Sequence, residues 1–163
     1  MPGVGKTTIA NSLSTLLSLE HIDIDQQIST KESESINDII QKRGEDTFRE
    51  LEKRELKIAI QNKPPSIIST GGGVILDNEN RTLIKGQGYG VHLKSTIKEI
   101  ADRIDVLSRP LLYNTNKIEK LEQLWLKREK LYDNTAKIEL NIKGLSINEA
   151  TQRLWDEVQN AYN

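Results

Sequence analysis

Met1-Pro2-Gly3-Val4-Gly5-Lys6-Thr7-Thr8 opens the chain and reads as the second half of a phosphate-binding loop, G-x-x-x-x-G-K-[ST], running into a helix. Gly3 and Gly5 let the backbone approach an anion at angles that a side chain would forbid. Successive amide N–H groups from Gly3 to Thr8, backed by the start of a helix, form a cradle for phosphate oxygens. Lys6 then reaches the β- and γ-phosphates, and the Thr7 hydroxyl sits on Mg²⁺. The plainer alternative is a Gly-rich arm that precedes a helix. The helix itself is supported by Ile9, Leu13, Leu16 and Leu17, which fall at i, i+4, i+7 and i+8. Counting back from Gly5, the first glycine of the motif falls before Met1, as does the strand that leads into it. The expectation is therefore a start downstream of the true one, or a truncated product, with the sheet lacking its first strand.

The rest of the chain alternates strands with helices. His21-Ile22-Asp23-Ile24-Asp25 alternates apolar and polar residues and reads as a strand ending in carboxylates. Helices are expected at 35–43 and 45–62, the second closed by Pro64-Pro65. Ser66-Ile67-Ile68-Ser69 is a short strand followed by Thr70-Gly71-Gly72-Gly73. A helix near 78–85, a strand around 89–93 and a helix opening at Ser95 come next. A polar stretch at 105–118, containing Arg109-Pro110, reads as a mobile loop. A helix at 120–132, a strand at 138–142 and a last helix opened by Ser146-Ile147-Asn148-Glu149 complete the order; that tetrapeptide has capping-box form. Ile147, Ala150, Leu154 and Val158 share one face of the last helix. Strands alternating with helices indicate a parallel α/β sheet sandwiched between helices.

Composition narrows the function classes. At 163 residues a single domain is expected, and a net charge of −1 implies no bulk attraction to nucleic acid or an acidic membrane. The absence of cysteine excludes disulfides, thiol catalysis and cysteine-ligated metal. With no signal-peptide core and no long apolar run, a cytoplasmic protein is expected. Aromatic residues make up 4% of the chain, so the core has to be built from Ile, Leu, Val and Ala.

In open α/β sheets, ligands gather at the carboxyl ends of strands. Asp23 and Asp25, two apart in a strand, can face one site, where one holds Mg²⁺ through water and the other accepts a proton from an attacking hydroxyl. A solvated strand end is the alternative. Three glycines after a strand imply close approach of backbone to a ligand, or a flexible turn. Arg128 continues the spacing of Leu121, Leu124, Trp125, Leu131 and Tyr132, which places it on or beside the buried face of its helix. A buried guanidinium requires an anionic partner: a structural Asp or Glu, or a carboxylate or phosphate of a substrate. Arg49 has Glu52 at i+3, so a surface ion pair is the simple reading. Arg109 could close over phosphates or be a solvated charge. His21, His92, Trp125 and Trp155 read as structural.

The set Gly-Val-Gly-Lys-Thr-Thr, Asp23-x-Asp25, Phe48-Arg49-x-x-Glu52, Gly71-Gly72-Gly73, Arg109-Pro110-Leu111-Leu112 and Lys127-Arg128 resembles shikimate kinase over nearly the whole chain. The resemblance implies a P-loop, nucleoside-monophosphate-kinase-like three-layer sandwich around a central parallel sheet, one kinase domain over 1–163, and a lid at about 105–118. It implies transfer of the γ-phosphate of ATP to the 3-hydroxyl of shikimate, with Mg²⁺ as cofactor, in a cytoplasmic monomer without nucleic-acid or membrane partners. Lys6 corresponds to the phosphate-binding lysine, Thr7 to the Mg²⁺ ligand, and Asp23 to the carboxylate that binds Mg²⁺ through water. Asp25 corresponds to the residue that holds the shikimate hydroxyls and serves as base. Arg49 and Arg128 would clasp the shikimate carboxylate, with Gly71, Gly72 and Gly73 against the ring. Arg109 would be the lid arginine near the γ-phosphate, Pro110 would lie against adenine, and Arg103 roughly matches an arginine near adenine. The chain departs from the family at Lys130, a usual proline, and at 136–142, where both family aspartates are replaced. Other readings are a different sugar-acid kinase, such as gluconate kinase, and a non-catalytic binding module derived from a kinase.

Overall fold

A computed structural model describes residues 1–62, 64–104 and 116–162. In chain order the elements are α1 (Lys6–Leu17), β1 (Glu20–Asp23), α2 (Ile24–Glu32), α3 (Ile36–Arg43), α4 (Glu45–Gln61), β2 (Ser66–Ser69), a 3₁₀ turn (Val74–Leu76), α5 (Asn78–Gln87), β3 (Val91–Lys94), α6 (Ile97–Arg103), α7 (Lys117–Asp133), β4 (Ile138–Asn141) and α8 (Ile147–Tyr162). The fold is α/β with parallel strands. β1 pairs with β2 and β3 pairs with β4, with Ile22 opposite Ile68 and Leu93 opposite Leu140.

The sheet expected from the sequence is present as these two parallel pairs. Among the described residues no ladder joins β2 to β3. A cavity of 520 Å³ lies between them, lined by Ile67, Ser69, His92 and Leu93 from the strands and by Ile9 and Leu13 from α1. Backbone groups on those facing edges require water or another partner there. The layers are held by aliphatic side chains: Ile24, Ile28, Ile39, Leu56, Ile100 and Leu121 are fully buried. No described helix is long and apolar enough to cross a membrane.

Three sequence expectations are corrected. The strand read through Asp25 ends at Asp23, whose carboxylate accepts a hydrogen bond from the Gln26 amide and starts α2 at Ile24. Local capping thus overrides the alternating pattern. Ile147, expected on the buried face of α8, is 50% exposed, whereas Ala150 and Leu154 are buried. The lid expected at about 105–118 is only partly described: 105–115 lie outside the described residues, and Asn116 caps α7 at Lys117.

The capping box before α8 is formed as the sequence indicates. Glu149 accepts from the Ser146 amide at 2.8 Å, and the Ser146 hydroxyl accepts from the Glu149 amide at 3.3 Å. Ser146→Ala is expected to lower the unfolding free energy by about 1 kcal/mol, measured by urea denaturation. An unchanged midpoint would show that α8 is held by packing alone.

Candidate active site

The loop before α1 is held open by two glycines in the left-handed region, Gly3 at φ 75° and Gly5 at φ 104°. A Cβ on Gly3 would also collide with the side chain of Ile104. Val4 between them is fully buried and anchors the loop. Among the described helices, α1 alone has neither a side-chain cap nor an acidic residue in its first turn. Neither a capping side chain nor a carboxylate of its own first turn therefore offsets the positive end of its dipole. Lys6 folds back over the loop and its Nζ donates to the Met1 carbonyl at 2.7 Å. Thr8 is exposed on the first turn of α1.

Thr7 and Asp23 meet at the end of β1, where the Thr7 hydroxyl donates to Asp23 Oδ2 at 2.8 Å. Ser69, at the end of the neighbouring strand, donates to the same oxygen at 2.7 Å and is itself 2.9 Å from Nε2 of His21. Partial burial would raise the Asp23 pKa, but hydrogen bonds from Ser69, Thr7 and the Gln26 amide outweigh it and hold the carboxyl below its ordinary value. A hydroxyl and an ionised carboxylate side by side are hard oxygen donors, the kind Mg²⁺ takes. The residues present therefore fit that ion.

The triple glycine after β2 brings the second half of the site together. A Cβ on Gly71 would lie 2.8 Å from Glu52 Oε1 and 3.2 Å from Asp25 Oδ1. On Gly72 it would lie 3.2 Å from the Pro2 nitrogen, and on Gly73 2.6 Å from the Arg49 guanidinium. The Gly72 carbonyl accepts from Arg128 Nη1 at 3.2 Å and from the Tyr132 hydroxyl at 2.5 Å. Asp25 sits in the first turn of α2 rather than on a strand, yet it still reaches this turn. The phosphate loop, Asp25, Arg49 and Arg128 thus converge on one short backbone segment.

Arg49 is not in the surface ion pair that its spacing suggests. Its Nη1 donates to Glu52 Oε2 at 2.7 Å, and Glu52 is fully buried; its Nη2 donates to the exposed Glu45 at 2.9 Å. Glu52 Oε1 is buried and has no hydrogen-bond donor among the described residues. Burial pushes the Glu52 carboxyl up to about 7 and Asp25 adds to the rise, against the opposing pull of Arg49 and Arg128. Arg128 is half-buried, and its Nη1 donates to the Gly72 carbonyl.

Glu52 and Tyr132 have a larger part in the site than sequence reasoning gave them. Glu52 lies at i+4 from Phe48 and i−4 from Leu56, on the buried stripe of α4, so the test that singled out Arg128 would have found it. Arg103 ends α6 with its side chain exposed, next to Ile104, which packs on Gly3. Arg109 and Pro110 lie outside the described residues.

Comparisons with known proteins agree with this arrangement. The sequence profile of the family described as shikimate kinase matches residues 2–159. The chain is 34% identical over 163 residues to the shikimate kinase of Dictyoglomus turgidum, a match covering 95% of this chain and 94% of that one. It is 35% identical over 153 residues to the shikimate kinase of Francisella tularensis subsp. holarctica, covering 93% and 87%. Such coverage gives the expected late start no support. The fold is similar to that of shikimate kinase from Acinetobacter baumannii in complex with shikimate, with a TM-score of 0.92 and 29% identity over 98% of this chain and 90% of that one. It is similar also to shikimate kinase from Aquifex aeolicus, with a TM-score of 0.85 and 27% identity over 98% and 93%. A phosphate loop, a carboxylate and two arginines gathered on one glycine turn are thus accounted for together: the chain belongs to the shikimate kinase family, ATP-dependent phosphotransferases that act on shikimate.

Proposed function

We propose that this chain, as a cytoplasmic monomer, phosphorylates the 3-hydroxyl of shikimate with the roles that follow. The observation that carries the assignment is the glycine turn, where Asp25, Arg49 and Arg128 lie against the same backbone that abuts Met1 and Pro2. The loop amides from Gly3 to Thr8 and the Lys6 ammonium bind the phosphates of ATP. Thr7 and Asp23 would hold Mg²⁺, which when bound would neutralise charge on the phosphate oxygens. Arg103 and Pro110 contact the adenine end, and Arg109 closes over the γ-phosphate from a lid within 105–118.

Arg49 and Arg128 clasp the shikimate carboxylate, which supplies the anion that a half-buried guanidinium calls for. Gly71, Gly72 and Gly73 lie against its ring, because side chains there would fill the space. Asp25 takes the proton of the attacking hydroxyl as its oxygen bonds to the γ-phosphorus. The bond from that phosphorus to the β–γ bridging oxygen breaks, and ADP leaves with the electron pair. Holding donor and acceptor in line is most of the catalysis.

Shikimate-dependent ADP release tests the assignment. Asp25→Asn is expected to lower kcat by about 10²–10⁴-fold while ATP binding is retained. Unchanged turnover would remove Asp25 from the mechanism, and equal turnover with gluconate would redirect the substrate assignment. Glu52 gives a second test. Its folded pKa of about 7 exceeds the ordinary 4.5, so its contribution to stability is full below 4.5 and is lost as pH rises through 7. The unfolding free energy of wild type minus that of Glu52→Gln is therefore expected to fall by on the order of 3 kcal/mol between about pH 4.5 and pH 8 in urea titrations. A difference independent of pH would show that Glu52 titrates normally.

A further inference from the structure

His92 on β3 and Glu139 on β4 are partners in the parallel ladder, which puts both side chains on one face of the pair. The last residue of α7 comes down on that face. Nδ1 of His92 is 3.7 Å from Asp133 Oδ1 and 3.9 Å from Glu139 Oε1, and the three potential ligand atoms all lie within 4.8 Å of one another. The His92 side chain is 4% exposed, and among the described residues neither ring nitrogen has a hydrogen-bond partner. Native structures rarely leave a buried imidazole in that condition. The two carboxylates are 41% and 42% exposed, so the buried nitrogen points toward a mouth open to solvent.

We infer that His92, Asp133 and Glu139 form a binding site for a divalent transition-metal ion of the Zn²⁺ class, separate from Thr7 and Asp23. One imidazole and two carboxylates suit such ions, whereas Mg²⁺ and Ca²⁺ take oxygen ligands. Tetrahedral Zn²⁺, with bonds of about 2.0–2.2 Å, sets its ligand atoms about 3.4 Å apart. Small inward movements of two exposed carboxylates close the present gaps, and water completes the shell.

Lys94 is the competitor. Its Nζ is 2.8 Å from Glu139 Oε2 and 3.3 Å from Asp133 Oδ1, so it holds the carboxylates together without an ion. An ammonium could donate to the lone pair of a neutral ring nitrogen, but among the described residues Lys94 makes no hydrogen bond to either nitrogen of His92. At 31% exposure Lys94 can turn outward when a dication takes its place.

Titration of the full chain with Zn²⁺ alone, by calorimetry at about pH 7.5, where an ordinary imidazole is neutral, tests the site. The expected result is one saturating Zn²⁺ per chain, not displaced by equimolar Mg²⁺. Glu139→Gln and His92→Asn should each weaken binding at least about tenfold, and Lys94→Gln should tighten it by about tenfold. Since His92 is buried, the exposed Glu139 variant decides the matter if His92→Asn fails to fold. Absence of saturable binding, a Glu139→Gln affinity equal to wild type, or a Lys94→Gln affinity no tighter than wild type would each overturn the inference.

Discussion

The structure turns on how closely backbone can approach at Gly71, Gly72 and Gly73. Each of the three positions is crowded by a different functional element: the Asp25 and Glu52 carboxylates, the Met1–Pro2 backbone, and the Arg49 guanidinium. No residue with a side chain allows all three contacts at once. The turn follows directly from β2 and passes into a 3₁₀ turn, so its course is fixed at both ends. Its central carbonyl then ties down α7 through Arg128 and Tyr132. A segment without side chains thereby sets the distance between the loop before α1 and the side chains of Asp25, Arg49 and Arg128.

Charge is arranged around this turn with little screening. Arg49 is divided between the buried Glu52 and the exposed Glu45, and Arg128 adds a second guanidinium. Glu52 and Asp25 both lie beside Gly71, and their mutual repulsion helps to lift the Glu52 carboxyl. In the proposed assignment, an incoming carboxylate would pair with the two guanidinium groups, while hydroxyl groups would donate to the acceptors beside Gly71. The polarity of the cleft therefore matches a substrate that is acidic at one end and hydroxylated at the other.

Much of this was legible in the residues themselves. The phosphate loop is local, because the glycine conformations and the helix start lie within eight residues. Arg128 announced itself by interrupting an apolar stripe. Glu52 interrupted another in the same manner, but its neighbour Arg49 offered a simpler explanation at i+3. The extent of β1 was misread because Ile22-Asp23-Ile24-Asp25 alternates like a strand, while Asp23 spends its carboxylate on capping α2. The meeting of His92 with Asp133 and Glu139 leaves no local trace, because it depends on strand register and the end of α7. Residues that come together through tertiary packing alone have no spacing signal to read.

The most direct test of this dependence is Gly72→Val, studied by calorimetry with shikimate and, separately, with an ATP analogue. The first added carbon, Cβ, would lie 3.2 Å from the Pro2 nitrogen and 3.3 Å from the Met1 carbonyl carbon, and the two methyl groups add to that crowding. The expected result is a folded protein whose affinities for both ligands drop together, each by at least about tenfold. A variant that loses affinity for one ligand and binds the other as wild type does would contradict the claim that a single backbone turn positions both halves of the site.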